Sequence, residues 1–338
     1  MSTQKGKRQK TVFSKAIISL ALLIAGFALY WAAGRSVIAK NFNEVIVSAR
    51  QNGHTVQPKA FTLSGFPFSF DGHMSSLLLA APQARSPWSL RGENLHLEAA
   101  SINPLKWDIY HAGDARLDMR GPGGQRWLFD IRPFLFHGDV KLSHKGDIRV
   151  VKLYADKLRP QAVIGTEPPF RALDKLQTEL IDGKDDIDIK VNVENLFLSA
   201  KTWPALQQVF GPRLEALSVS AQAVGLSKLS QKAVMDWGQK ARLTSSDWRV
   251  KWNGVDLGGD FDLTRSAEGV SGNIRIKLED EQAFFEAMTS SGLITPTQAS
   301  LMKFALTSRV KTDGAPKEIN LILANSQLSL FGQAIYKF

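Results

Sequence analysis

WLFDIRPFLFHGDVKLSHKGDIRVVKLY, residues 127–154, alternates apolar and polar side chains in three short runs, at 127–131, 140–142 and 148–154. Period-two alternation places one set of side chains on each face of a strand, so each run reads as a strand with one buried face. His137-Gly138-Asp139 and Lys145-Gly146-Asp147 stand between the runs and predict turns. The same rhythm extends upstream, with strands expected at 61–63, 66–70, 88–90, 95–97 and 115–119. Asp71-Gly72, Arg91-Gly92, Gly113-Asp114 and Gly121-Pro122-Gly123-Gly124 punctuate them. Downstream, 186–198, 214–224, 241–252, 254–263 and 270–278 read as a second block, and 318–324 with 327–331 as a closing pair. Strands this evenly spaced predict an antiparallel meander.

Few segments read as helix. Residues 171–181 are weakly amphipathic, and 203–210 carry Pro204 in a first-turn position. At 281–290, Phe284, Phe285 and Met288 recur at helical spacing. Thr295-Pro296-Thr297 opens a second helix, and Gly292 between the two predicts a helical hairpin on the sheet. The proline-bearing stretch 155–172 is the expected linker between two β-rich halves, 54–160 and 161–338. A weak internal likeness, Trp88 to Leu97 against Trp248 to Leu257, favours related halves. The expected fold class is all-β with accessory helices, as one antiparallel sheet or two related sheets.

Location is written in the N-terminus. Residues 16–33, AIISLALLIAGFALYWAA, carry no charge. At about 1.5 Å per residue a helix of this length spans a hydrocarbon core of roughly 30 Å. A cut after Ala33 would put Trp31 at the −3 position, where a small residue is wanted. The segment is therefore expected to remain as a signal anchor; a cut after Ala25 or Ala28 is the alternative. The expected order is a basic cytoplasmic tail at 1–11, a membrane span at 12–33 and a juxtamembrane helix at 34–53. Lys15 marks the near membrane interface, and Tyr30 and Trp31 an aromatic belt at the far one. Of the net charge of +10, residues 1–40 supply most, through Lys5, Lys7, Arg8, Lys10, Lys15, Arg35 and Lys40 with no acid. By the positive-inside rule the N-terminus stays in the cytoplasm and the rest lies in the periplasm, anchored to the inner membrane. No basic stripe with interleaved aromatics remains elsewhere, so no nucleic-acid partner is expected.

Chemistry is sparse. With no cysteine, thiolate catalysis, disulfides and Cys-ligated zinc are excluded. There is no His-Glu-x-x-His, no Gly-x-Ser-x-Gly, no Walker loop and no strand-borne Gly-x-Gly-x-x-Gly. The six histidines, His54, His73, His96, His111, His137 and His144, show no metal-ligand spacing. The run from Asp182 to Asp188 lacks the spacing of a calcium loop. No catalytic, cofactor or metal residue is assigned. Phe66, Phe68, Phe70, Trp127 and Phe129 are singled out as an apolar surface, filling a core or lining a groove for acyl chains.

Short motifs point to a family. Gly65-Phe66-Pro67-Phe68, Asn103-Pro104-x-x-Trp107, the 258–263 strand Gly-Gly-Asp-Phe-Asp-Leu, and Ser271-Gly272-x-Ile274-x-Ile276 leading to Ser291-Gly292-Leu293-Ile294 all follow the single apolar segment. In this layout the chain resembles the alphaproteobacterial envelope family known as domain of unknown function 2125 over most of 35–338. That resemblance implies a membrane-attached periplasmic protein and carries over no site residue. The rhythm is also similar, in architecture only, to AsmA-like envelope proteins, which are linked to lipid traffic and outer-membrane assembly. The expected function is non-enzymatic binding of lipid or an envelope partner through the β surface. A scaffold or assembly factor, or a hydrolase with a carboxylate or histidine site, stands as the alternative.

Overall fold

The computed structural model describes residues 3–82, 87–120, 126–145, 147–163, 167–200, 204–229, 237–238, 240–266, 268–307, 317–325, 327–330 and 333–337. The chain opens with one uninterrupted helix, α1 (Thr3–Gln51). The expected span and juxtamembrane helix are thus a single element: Gly34 at their boundary keeps helical geometry, and no proline interrupts the hydrogen-bonded register. It is apolar enough to be a membrane anchor or a signal sequence.

Strands β1 (Thr55–Lys59), β2 (Thr62–Ser64), β3 (Ser69–Ala81), β4 (Trp88–Ala100), β5 (Lys106–Arg120) and β6 (Arg126–Leu142) follow. Then come β7 (Ile148–Leu158), β8 (Pro160–Ala162), β9 (Phe170–Asp182) and β10 (Ile187–Leu198). After the short helix α2 (Pro204–Phe210) the sheet resumes with β11 (Arg213–Val224), β12 (Arg242–Trp252), β13 (Val255–Ser266) and β14 (Gly269–Leu278). A helical hairpin, α3 (Glu281–Ser290) and α4 (Pro296–Thr307), precedes β15 (Lys317–Ala324), β16 (Gln327–Leu330) and β17 (Gln333–Lys337).

Among the described residues, all 17 strands belong to one sheet, and every pairing is antiparallel between neighbours or near neighbours in sequence. The ladder continues through the expected linker: β7 and β8 both pair with β6, and β7 pairs directly with β9. The two tryptophan segments are not equivalent either. Trp88 to Leu97 lies within β4, whereas Trp248 to Leu257 runs through the Asn253-Gly254 turn between β12 and β13.

Two sequence expectations fail for physical reasons. Residues 171–181 form strand β9, not a helix. Leu173, Leu176 and Leu180 have helical spacing, yet Leu173 and Leu176 enter one core cluster together. Left-handed residues at Lys157 (φ 53°) and Asn195 (φ 51°) on the flanking strands mark the irregularity that turns both leucines inward. Tertiary pairing overrides local propensity here. Second, Asp71-Gly72, Arg91-Gly92, Gly113-Asp114 and His137-Gly138-Asp139 lie inside strands rather than at turns. Gly72, Gly92 and Gly138 are sites of close approach: a Cβ would come within 3.1 Å of Phe61, 2.8 Å of His111 and 3.2 Å of Leu153.

The register makes the sheet amphipathic over its whole width. A single line runs from Gly72 through Leu97, Ile109, Gly138, Leu153, Thr178, Val191, Val219, Trp248, Gly259 and Ile276 to Ile319. One residue away lies the opposite face, with His96, Tyr110, His137, Tyr154, Gln177 and Asn192 in line. That polar face is laced by cross-strand ion pairs, among them Lys152–Glu179 at 2.6 Å and Lys175–Glu194 at 3.0 Å.

Fully buried apolar residues gather in five separate clusters among the described residues. One joins the β5–β10 strand ends around Phe129 and Leu173. Another seats α2 and α3 on Leu214 and Trp252, and a third seats α3 and α4 on Leu278 and Ile319. The hairpin is well terminated. Asp280 accepts from the amide of Ala283 at 2.9 Å, and Thr295 and Gln298 form a reciprocal capping box at 2.8 and 3.2 Å. Leu226, Leu229 and Trp237 cover the opposite strand ends near Ile187.

Candidate functional site

The junction between α1 and the sheet is built from the helix outward. Trp31 is buried, stacked on Phe70 at 5.9 Å and edge-on to Phe66 at 5.4 Å, and its indole N–H donates to the carbonyl of Ser69 at 2.8 Å. The Tyr30 hydroxyl donates to the carbonyl of Ser101, also at 2.8 Å. A turn later Gly34 lets the helix approach so closely that a Cβ would stand 2.8 Å from the Phe70 ring. Phe42 stacks on Phe61 at 4.4 Å. The two residues expected to mark the far membrane interface are therefore also the bolts that hold the β domain to the helix. Lys15 lies in α1, and its side chain is outside the described residues.

The five aromatics singled out in the sequence do not form one row. Phe70 is buried against α1, and Phe129 is buried at the opposite end of the strands with Trp127 packed beside it. Phe66 and Phe68 sit in a turn before β3 rather than in a strand, and both are exposed. Phe134 lies in β6, its side chain outside the described residues. Phe338 also falls outside them, and Tyr336 lies in β17.

The apolar face between the clusters is the largest feature that sequence reasoning did not resolve. From Leu97 on β4 to Trp248 on β12, no described residue of a helix, of 226–229 or of 237–238 joins the central line in a core cluster. Ile109, Leu153, Thr178, Val191, Val219 and Trp248 are all only partly buried. The indole nitrogen of Trp248 is buried on this face with no acceptor among the described residues.

The polar face holds two clusters of titratable groups. Tyr110 and Tyr154 stack on the two sides of His137 at 4.9 and 5.6 Å. Asp108, His137 and Asp139 bring ligand atoms within 4.8 Å of one another, as do Asp71, His96 and Glu98. Oxygen and imidazole donors of this kind suit a divalent cation. In the first trio, however, the Lys106 ammonium lies 3.4 Å from Asp108 and already supplies positive charge. The acidic run at 182–188 is dispersed: Asp182 pairs with Arg149 at 2.5 Å, Asp186 accepts from the amide of Gly225 and Asp188 from Gln222. Each trio joins a pair two residues apart on one strand, His96 with Glu98 on β4 and His137 with Asp139 on β6, to a carboxylate of the neighbouring strand, so only the third member is hidden from the sequence.

Asp108 and Asp139 are cross-strand partners whose carboxyls shift each other in opposite directions. Burial, then the hydrogen bond to Asp108, pushes the Asp139 carboxyl up. That same hydrogen bond, followed by Lys106, pulls Asp108 down. A carboxyl whose folded pKa is raised stabilises the fold below its unfolded pKa, and the contribution is lost as pH rises through the folded value. Asp139→Asn keeps a donor for Asp108 without the second charge. It is expected to be more stable than the parent at pH 7.5, by on the order of 1 kcal/mol, with the difference closing near pH 4. Thermal unfolding at the two pH values checks this; a variant less stable at neutral pH refutes it.

With the fold and these surfaces in place, the comparisons decide the family. The model of a family described as an uncharacterized protein conserved in bacteria (DUF2125) matches residues 31–325. The chain belongs to the DUF2125 family. Comparisons with curated proteins and with solved structures return no match. The matched segment of this DUF2125 chain begins at Trp31, the residue that bolts α1 to the sheet, and takes in every strand through β15.

Proposed function

We propose that this DUF2125 protein is anchored in the inner membrane by α1, holds its sheet in the periplasm, and takes lipid acyl chains on the apolar face of that sheet. The observation that carries the reading is the uncovered central line. A sheet with one apolar face ordinarily buries it against another layer. Among the described residues the covering elements stop at the strand ends and at the β14–β15 edge. From β4 to β12 the line crosses seven strand spacings, roughly 35 Å at about 4.8 Å each. A continuous apolar strip of that size is far from the isolated surface leucines of ordinary proteins and fits a ligand that is itself long and apolar. The charge asymmetry around residues 16–33 supports the orientation. The burial of Trp31 supports an uncleaved anchor, because a cut after Ala33 would remove a core residue.

The test is photo-crosslinking of the full chain in cells. A photoreactive phenylalanine analogue at Leu153 or Val219 is expected to yield lipid adducts by mass spectrometry. The same analogue at Asn192, on the polar face, is expected to yield none. Equal labelling at all three positions, or no lipid at Leu153 and Val219, ends the proposal.

A further inference from the structure

The turn before β3 and the β4–β5 connection meet at the junction with α1. Ser101 is fully buried there, its amide donating to the Phe68 carbonyl at 2.8 Å and its hydroxyl to the Pro67 carbonyl at 2.8 Å. Its own carbonyl accepts from Tyr30 on α1. Both loops are thereby fixed at the height of Tyr30 on the helix. Three large apolar side chains nevertheless face outward from these braced loops: Phe66 at 50% exposure, Phe68 at 82% and Ile102 at 88%. Loops this tightly held do not leave such groups in water through slack.

The helix says what covers them. Leu22, Leu23, Ile24 and Leu29 are exposed on α1, and Leu29 directly precedes the tyrosine that holds Ser101. Tyr30 lies three residues before the end of the uncharged run at Ala33, about 4.5 Å along the helix axis. Its height is thus that of the boundary between acyl chains and headgroups. Arg35, over the Trp31 ring at 5.7 Å, follows just outside that boundary, where a cation suits lipid phosphate.

We propose that the 65–69 and 101–104 loops form a second membrane contact, with Phe66, Phe68 and Ile102 entering the periplasmic leaflet beside α1. Side chains of this type partition into the interface by burying apolar area, without crossing the bilayer. Two separated points of contact fix the tilt of the sheet relative to the membrane, which a helix alone leaves free. The strand ends at Phe70 and Ala100 then stand on the leaflet. The inference rests on the reading of α1 as a membrane span and is independent of lipid binding on the apolar face.

The absence of cysteine makes the test direct, since any introduced cysteine is unique. Phe68→Cys, Ile102→Cys, Leu29→Cys and, as an aqueous control, Gln282→Cys on α3 are labelled with an environment-sensitive fluorophore. Each full chain is placed in phosphatidylcholine–phosphatidylglycerol nanodiscs containing a shallow spin-labelled lipid. The expected result is blue-shifted emission and lipid quenching at positions 68, 102 and 29, and neither at 282. Quenching at 29 with water-like signals at 68 and 102 overturns the loop contact alone. Loss of quenching at all three overturns it together with the anchor. Labels at 68 and 102 shielded from iodide but not quenched by lipid also overturn it and point to a protein partner.

Discussion

Gly259→Ala is expected to destabilise the sheet by about 3–5 kcal/mol, enough to lower expression and to expose the β13–β14 region to protease. A Cβ at position 259 would lie 1.9 Å from the carbonyl oxygen of Arg275 on the neighbouring strand. At position 272 it would lie 2.0 Å from that of Asp262. Both obstacles are backbone atoms, so no side-chain rotation relieves them; β13 and β14 must move apart and lose ladder hydrogen bonds of about 1 kcal/mol each. The two glycines lie on the same strand pair but four residues apart in its register, Gly259 opposite Ile276 and Gly272 opposite Leu263, with φ of 152° and 151°. Gly259→Ala and Gly272→Ala together are therefore expected to cost close to the sum of the two, because about 13 Å of strand separates the two clashes. Gly254→Ala is the contrast. It also has positive φ, at 79°, but open space around it, so only the backbone conformation opposes substitution, by about 1 kcal/mol. Urea unfolding of the three variants separates clash from conformation. Similar small losses at 254 and 259 would show that β13 and β14 are looser than described.

These same glycines lie in motifs that suggested the family. Gly258-Gly259 and Ser271-Gly272 read from the sequence as markers without a role, and the structure gives Gly259 and Gly272 a packing role rather than a chemical one. The fold class was legible because period-two alternation survives in single strands such as 148–154, and the helical hairpin because Thr295, Pro296 and Gly292 carry their own local signals. Strand length was not legible. Glycine serves both turns and close strand contacts, and only a neighbour from elsewhere in the chain, such as His111 against Gly92, tells the two apart. The Phe66-Pro67-Phe68-Ser69-Phe70 run shows the same limit. Its alternation is real, but Ser101 and Trp31 pin the first half into a turn, so Phe68 is exposed while Phe70 is buried. The Asp108, His137 and Asp139 group was legible only in part, since His137 and Asp139 share a face of β6 whereas Asp108 joins them only once β5 and β6 pair.

Phe129→Ala carries the second large effect and separates core from ligand surface on one sheet face. Phe129 is 1% exposed, edge-on to Phe170 at 6.4 Å, and packed with Ile131, Ala155, Leu158, Leu173 and Val193. Its loss removes a large apolar side chain and leaves a cavity whose walls come from three other strands, so about 3–5 kcal/mol is expected. Phe261 is on the same apolar face, only partly buried, and belongs to none of the five clusters. Phe261→Ala leaves little cavity and is expected to cost no more than about 1.5 kcal/mol. The two variants should trade places when lipid is measured. Phe261→Ala is expected to weaken lipid labelling from the photoreactive residue at Val219, while Phe129→Ala, assayed at a temperature where it remains folded, is expected to leave that labelling intact. If Phe261→Ala proves as destabilising as Phe129→Ala and both leave labelling unchanged, the centre of the face is ordinary core. The aromatics of β6 and β13 would then share one structural purpose.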